Sequence, residues 1–186
     1  GIKKVVELRE QQGARFPKLG VTYVVTPHNY QYIEQFFLQS IDLSMLSSVS
    51  IELQSYATAQ QVADYENVLK TKFDVDTPSC AQGYIQDEKI FSSMNIKNLV
   101  RQLKAIERVC VVKEIQFYSQ PGTLEENNIR HYLSAKWEKM VDKKSRCGVP
   151  WMSVEISAEG DVSTCHSFYD LPIGNIYQQS LADIWN

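Results

Sequence analysis

Two cysteines bracket the stretch "CGVPWMSVEISAEGDVSTC", residues 147–165 of this 186-residue chain. Thiols at either end of a short hairpin can do three things. They can pack as small buried hydrophobes, close a disulfide in an oxidising compartment, or ligate one metal centre as thiolates. The third use is incomplete as it stands. A tetrahedral zinc or an iron–sulfur cluster takes about four protein ligands, and the other two cysteines, Cys80 and Cys110, lie far upstream. His28, His131 and His166 are scattered, and His28 alone follows directly on a strand end. The chain has no glycine-rich phosphate loop, no nucleophile elbow and no HExxH motif.

The spacing around the pair is specific. Cys147, twelve residues, Gly160, four residues and Cys165 resembles the opening of the SPASM domain, a cysteine-rich extension of many radical S-adenosylmethionine enzymes. That domain opens with a cysteine, nine to fifteen residues, a glycine, four residues and a cysteine. "ISAEGDVSTC" resembles its hairpin, I-x-x-x-G-x-V-x-x-C, and "IGNIYQQSLADIW" resembles the GN-x-x-x-x-x-L-x-x-IW segment that follows. The resemblance covers residues 147–186.

It implies that Cys147 and Cys165 are the first ligands of an auxiliary iron–sulfur cluster, in a SPASM domain or its shorter "twitch" form. It also implies that residues 1–145 are the back half of a partial (β/α)6 radical SAM barrel, with 146–186 a truncated hairpin-and-helix module. The family's CxxxCxxC motif, which holds the catalytic [4Fe–4S] cluster, is absent. The later SPASM cysteines are absent too. A parent enzyme would use S-adenosylmethionine and [4Fe–4S] clusters to abstract a hydrogen from a peptide, protein or small-molecule substrate through a 5′-deoxyadenosyl radical. This fragment alone is expected to be inactive and to bind none of these cofactors. In the family, polar side chains after the fourth strand help hold the nucleoside. Thr26 and Asn29 occupy that place here, although either also suits a helix N-cap.

The elements that must position these residues are legible in the hydrophobic pattern. Residues 2–12 read as an amphipathic helix stopped at Gly13. "VTYVVT" (21–26), "SVSIELQ" (48–54) and "VKEIQFY" (112–118) read as parallel strands. Helices are expected after 29 with Ile33, Phe36 and Phe37 inward, from the capping box at Thr58–Gln61, over 96–109, and from a second box at Thr123–Glu126 out to Val141. Strands alternating with helices give βαβ units and a parallel sheet. Residues 74–94 read as a long loop. After about residue 145 a hairpin runs over 150–165, turning at Gly160, and a last helix starts at Ser180.

Composition narrows the setting. A net charge of −3 with scattered Lys and Arg gives no basic field for nucleic acid or an anionic membrane. No apolar run approaches the roughly 20 residues of a membrane span, and the N-terminus is no signal peptide. Four dispersed cysteines point to a reducing, cytoplasmic compartment. A chain that opens on a helix and closes on "ADIWN" reads as a piece of something longer, whose open sheet edge favours self-association. The competing reading is a non-catalytic α/β binding or scaffold module with no cluster.

Overall fold

The structure, a computed structural model, describes residues 1–76, 78–143, 148–165 and 169–185. These form two compact units, residues 1–55 with 88–144, and residues 56–87 with 145–186.

The first unit is built on three parallel strands, β1 (Gly20–Val25), β2 (Ser48–Leu53) and β3 (Gln116–Gln120), in the order β1-β2-β3. Alternation along β2 sets which face is buried: Val49, Ile51 and Leu53 are inside, while Ser48, Ser50 and Glu52 are half-buried. Register aligns Val21 and Phe117 with Val49, and Tyr23 and Ser119 with Ile51. The opposite face carries Thr22, Ser50 and Tyr118 in one row and Val24, Glu52 and Gln120 in the next. Val24 and Tyr118 are exposed there, so β1 is buried on one face rather than two. The sheet is open, with β1 and β3 at its edges among the described residues. It is three strands of a βα pattern and not a closed barrel.

Helix α1 (Ile2–Gln11) ends as expected at Gly13, whose φ is +60°. The amide of Ala14 then reaches the carbonyl of Arg9 at 2.9 Å, and that of Gly13 reaches Glu10 at 3.0 Å. The helix expected after Asn29 is broken into a 3₁₀ turn (Tyr30–Tyr32), a short α2 (Ile33–Gln35) and a π turn (Phe36–Ser40). Adjacent Phe36 and Phe37 both meet Tyr23, with ring centroids 5.2 and 5.8 Å away. A regular helix would splay neighbours apart by about 100°, and the wider turn coincides with this double contact. Buried Gln102 ties the break down, donating to the Tyr30 carbonyl and accepting from the Glu34 amide.

Gln102 belongs to α4 (Ile96–Val112), which runs three residues past its expected end. It is stopped by Glu114 at φ +57°, with Ile115 N–H on the Cys110 carbonyl at 2.9 Å and Glu114 N–H on Val111 at 3.2 Å. The third strand therefore begins at Gln116 instead of Val112. Helix α5 (Glu126–Leu133) is likewise shorter than expected. Ala135 at φ +52° ends it, and Met140 and Val141 lie beyond it. Thr123 is no capping box either: its amide and hydroxyl both donate to Asp142, which also accepts from Asn128.

In the second unit, α3 (Ala59–Phe73) opens on the expected box. The Thr58 hydroxyl oxygen accepts from Gln61 N–H, and the Gln61 side chain accepts from Thr58 N–H. The stretch read as a loop holds 3₁₀ turns, including Cys80–Tyr84 here and Glu88–Phe91 in the first unit. The C-terminal part is a small antiparallel sheet of β4 (Glu155–Ile156), β5 (Asp161–Ser163) and β6 (Gly174–Asn175), followed by α6 (Leu181–Trp185). The hairpin is shorter than its expected span, because Val149–Trp151 form a 3₁₀ turn. Among the described residues no helix is long and apolar enough to cross a membrane.

Candidate functional site

The hairpin is held at its turn by two residues that must be small or amide-bearing. Gly160 sits at φ +85°, and a Cβ there would lie 2.5 Å from the Tyr177 ring. Asn175 reaches back across the turn. Its amide nitrogen donates to the Glu159 carbonyl and the Asp161 carboxylate, and its oxygen accepts from Tyr177 N–H. Gly174 is as crowded, since a Cβ would meet Gln179 at 2.5 Å and Ile184 at 2.7 Å. The "GN" pair thus seats the turn on one side and α6 on the other. Ser180 caps α6, accepting from Asp183 N–H and donating to the Asp183 carboxylate.

Cys165 lies two residues past β5 and is half-buried. Its sequence partner Cys147 lies outside the described residues, as does His166, so the distance between the two thiols of the pair is not defined.

The structure brings a different cysteine to this segment. Cys80, which sequence order assigns to the α/β part, begins a 3₁₀ turn beside Tyr169 and Asp170. Its thiol donates to Asp170 Oδ2 at 2.8 Å, its amide donates to Asp170 Oδ1 at 2.8 Å, and its sulfur accepts from Tyr169 N–H at 3.4 Å. The Tyr65 hydroxyl of α3 donates to the same Asp170 Oδ2 at 3.0 Å. The next residue of α3, Glu66, accepts at Oε1 from the amide and hydroxyl of Ser79 and from Gln82, fixing the chain on both sides of Cys80.

The titration of these groups follows from that geometry. Burial pushes the Asp170 carboxyl up, but the bonds from Cys80 and Tyr65 outweigh it and hold the group below its ordinary value. Burial, then the bond to Asp170, raises the Cys80 thiol, so it stays protonated at neutral pH. Burial and Asp170 raise the Tyr65 phenol, and the neighbouring Cys80 and Cys165 add to this.

Residues 147–186 match the SPASM family, an iron–sulfur cluster-binding domain. The match confirms the resemblance drawn from the cysteine and glycine spacing, and it is confined to the last quarter of the chain. No curated protein and no solved structure matches the chain. The donor chemistry of the SPASM segment fits such a group, because thiolate sulfur is the ordinary protein ligand of iron–sulfur clusters. Among the described residues, no three His, Cys, Asp or Glu side chains converge as a metal site.

Thr26 and Asn29 sit at the C-terminal end of β1, in the first unit, and close the turn that leaves the strand. Asn29 Oδ1 accepts from Thr26 N–H at 2.7 Å, Asn29 Nδ2 donates to the Val24 carbonyl at 2.9 Å, and Thr26 Oγ1 accepts from His28 N–H. Neither side chain caps the following helical turn. Cys110 is fully buried in α4 and acts as a small core hydrophobe. Cys80, Asp170, Tyr65 and Asn175 were not singled out by sequence. The "GN" motif was the one signal pointing to Asn175, while nothing local marks the other three.

Proposed function

We propose that this chain is part of a radical S-adenosylmethionine enzyme and that its SPASM segment holds an auxiliary iron–sulfur cluster, with Cys147 and Cys165 as ligands. One observation carries the reading: an iron–sulfur-binding segment at 147–186 follows directly on a parallel three-strand βα unit, the order of parts that such enzymes use. The polar face of the sheet, with Thr22, Ser50, Tyr118, Glu52 and Gln120, would then line the inside of a larger barrel that binds S-adenosylmethionine and substrate. Thr26 and Asn29 are the residues assigned to the nucleoside in this reading.

When bound, the auxiliary cluster would supply an electron acceptor or a substrate anchor. This chain's own residues would hold it: Gly160 and Asn175 fix the hairpin that carries Cys165, and Asp170 fixes the loop that follows. Catalytic generation of the radical belongs to a CxxxCxxC cluster that this sequence does not contain. The substrate class is a peptide, protein or small molecule, in a cytoplasmic setting.

Anaerobic reconstitution with ferrous iron and sulfide tests the cluster, read as iron per chain for the wild type and for Cys165→Ala. Loss of iron in the variant is expected, and unchanged iron removes Cys165 from the ligand set. An assay for 5′-deoxyadenosine on the reconstituted 186-residue chain should match a protein-free control. Product above that control would place the catalytic centre within these residues.

A further inference from the structure

We infer that a cleft on one face of the small antiparallel sheet binds the arginine side chain of a peptide. The cleft encloses about 450 Å³ and is lined by Glu155, Glu159, Asp161, Ser163, Tyr169 and Pro172. Strand pairing makes it one surface. Val162 is fully buried on one side of β5, so Asp161 and Ser163 face the other. Glu155 lies directly opposite Ser163 across the antiparallel pair and shares that face. Two independent observations point to a cationic guest. Residues 147–186 contain Glu155, Glu159, Asp161, Asp170 and Asp183 but no Lys or Arg. Asp170 and Asp183 are engaged by Cys80, Tyr65 and Ser180. Among the described residues, Glu155 and Glu159 have neither an ion pair nor a side-chain hydrogen bond. The second observation is Ser163, which is only 5% exposed, yet its hydroxyl has no hydrogen-bond partner among the described residues. No side-chain oxygen there is both sealed from solvent and unpaired, so this hydroxyl opens onto the cleft. A nearly buried hydroxyl without a partner is a cost that a donor on a ligand removes.

The chemistry of the lining selects the guest. No three of these carboxylates converge as a metal site among the described residues, which leaves an organic cation. A guanidinium suits acceptors that are spread out, because its planar fork of five N–H donors can reach a carboxylate and the Ser163 oxygen together. Tyr169 is 56% exposed and adds an aromatic ring to the lining, a favourable neighbour for a guanidinium. Its backbone is pinned, since its N–H donates to Cys80 Sγ and the next residue, Asp170, accepts from the Cys80 amide. Asp161 is steadied by Asn175 Nδ2 at 2.8 Å, which leaves further lone pairs on its carboxylate for a guest. The cleft volume lies in the range of ligand sites and exceeds what one side chain fills, so it has room for the residues flanking the arginine. The assignment draws on no cluster and stands apart from the reading above. The competing role is a solvated acidic hairpin with no guest.

Fluorescence anisotropy with the full chain and a labelled, terminally blocked pentapeptide, Ala-Ala-Arg-Ala-Ala, tests this. Saturable binding that weakens as salt rises is expected. The same peptide with citrulline keeps the shape, loses the charge and should bind on the order of tenfold more weakly. Equal binding of the two peptides overturns the cationic guest. Glu155→Gln should weaken the arginine peptide about threefold, and Glu155→Lys should abolish its binding. Glu155 is exposed, so both variants keep the fold. Unchanged binding in Glu155→Lys would place the peptide elsewhere and overturn the site. Ser163→Ala should weaken binding about threefold without lowering the melting temperature, because the hydroxyl has no partner in the fold to lose. A lowered melting temperature would show that hydroxyl to be held within the fold and overturn its role as the acceptor left for a guest. N-acetylarginine amide should bind more weakly than the pentapeptide, and equal affinity would overturn the peptide in favour of a small guanidinium ligand. No binding of any of these probes overturns the inference and leaves the cluster assignment as it was.

Discussion

Cys80 and Asp170 meet twice, through a thiol and an amide that donate to the two oxygens of one carboxylate, each at 2.8 Å. Tyr65 adds a third donor at 3.0 Å. With its folded pKa held below the ordinary carboxylate value, Asp170 contributes stability that is present above the unfolded pKa of about 4. That contribution is lost as pH falls through the lower folded pKa. Glu66 and Asp42 are also held low and add to the same slope, so the difference between wild type and Asp170→Asn isolates this carboxylate. Thermal melts of iron-free protein from neutral pH down into the acid range should show the gap closing as the wild type is protonated. A gap constant with pH would mean the carboxylate charge is not what the three donors respond to.

Replacing Gly160 by alanine should destabilise the hairpin unit by about 1–3 kcal/mol, since the residue is held at positive φ and the new methyl meets the Tyr177 ring. Urea unfolding followed by tryptophan fluorescence measures it. A midpoint equal to wild type would show that the turn relaxes without cost.

The reverse substitution is informative at Ala135, which sits at φ +52° with its Cβ in the left-handed region. Ala135→Gly should stabilise by about 0.5 kcal/mol, the left-handed strain relieved less the added chain entropy of glycine. A loss of stability in the same assay would argue that the α5 ending is held by something other than its backbone conformation.

The outer edges of β1 and β3 have no strand partner among the described residues. Such edges invite pairing with another chain. Light scattering over a concentration series should show a mass that rises above the monomer. A constant monomer mass up to high concentration would count against edge pairing.

Where sequence and structure diverge, helix endings account for most of it. Four helices end on a left-handed residue whose following amide bonds back into the helix: Gly13, Asp74, Glu114 and Ala135. Glycine announces the first, and its helix was read correctly. Glutamate and alanine announce nothing, so the hydrophobic pattern starts the third strand four residues early and carries α5 on to Val141. The capping box at Thr58 was legible because both of its side chains act locally. At Thr123 an equally good local pattern lost to Asp142, nineteen residues away. The candidate site divides in the same manner. The Cys147–Gly160–Cys165 spacing and "GN" pair are local and could be read, whereas the approach of Cys80 to Asp170 spans ninety residues and carries no local mark.

That span has a consequence for how the chain is made. The unit containing Cys80 is discontinuous, since it joins residues 56–87 to 145–186. During synthesis α3 and its Tyr65 emerge first and wait for Asp170. At ribosomal rates the delay is on the order of ten seconds, long compared with the folding of most small domains. Through that interval the Cys80 thiol lacks its carboxylate partner and is open to oxidation. The protein's most exposed moment therefore comes before it is finished.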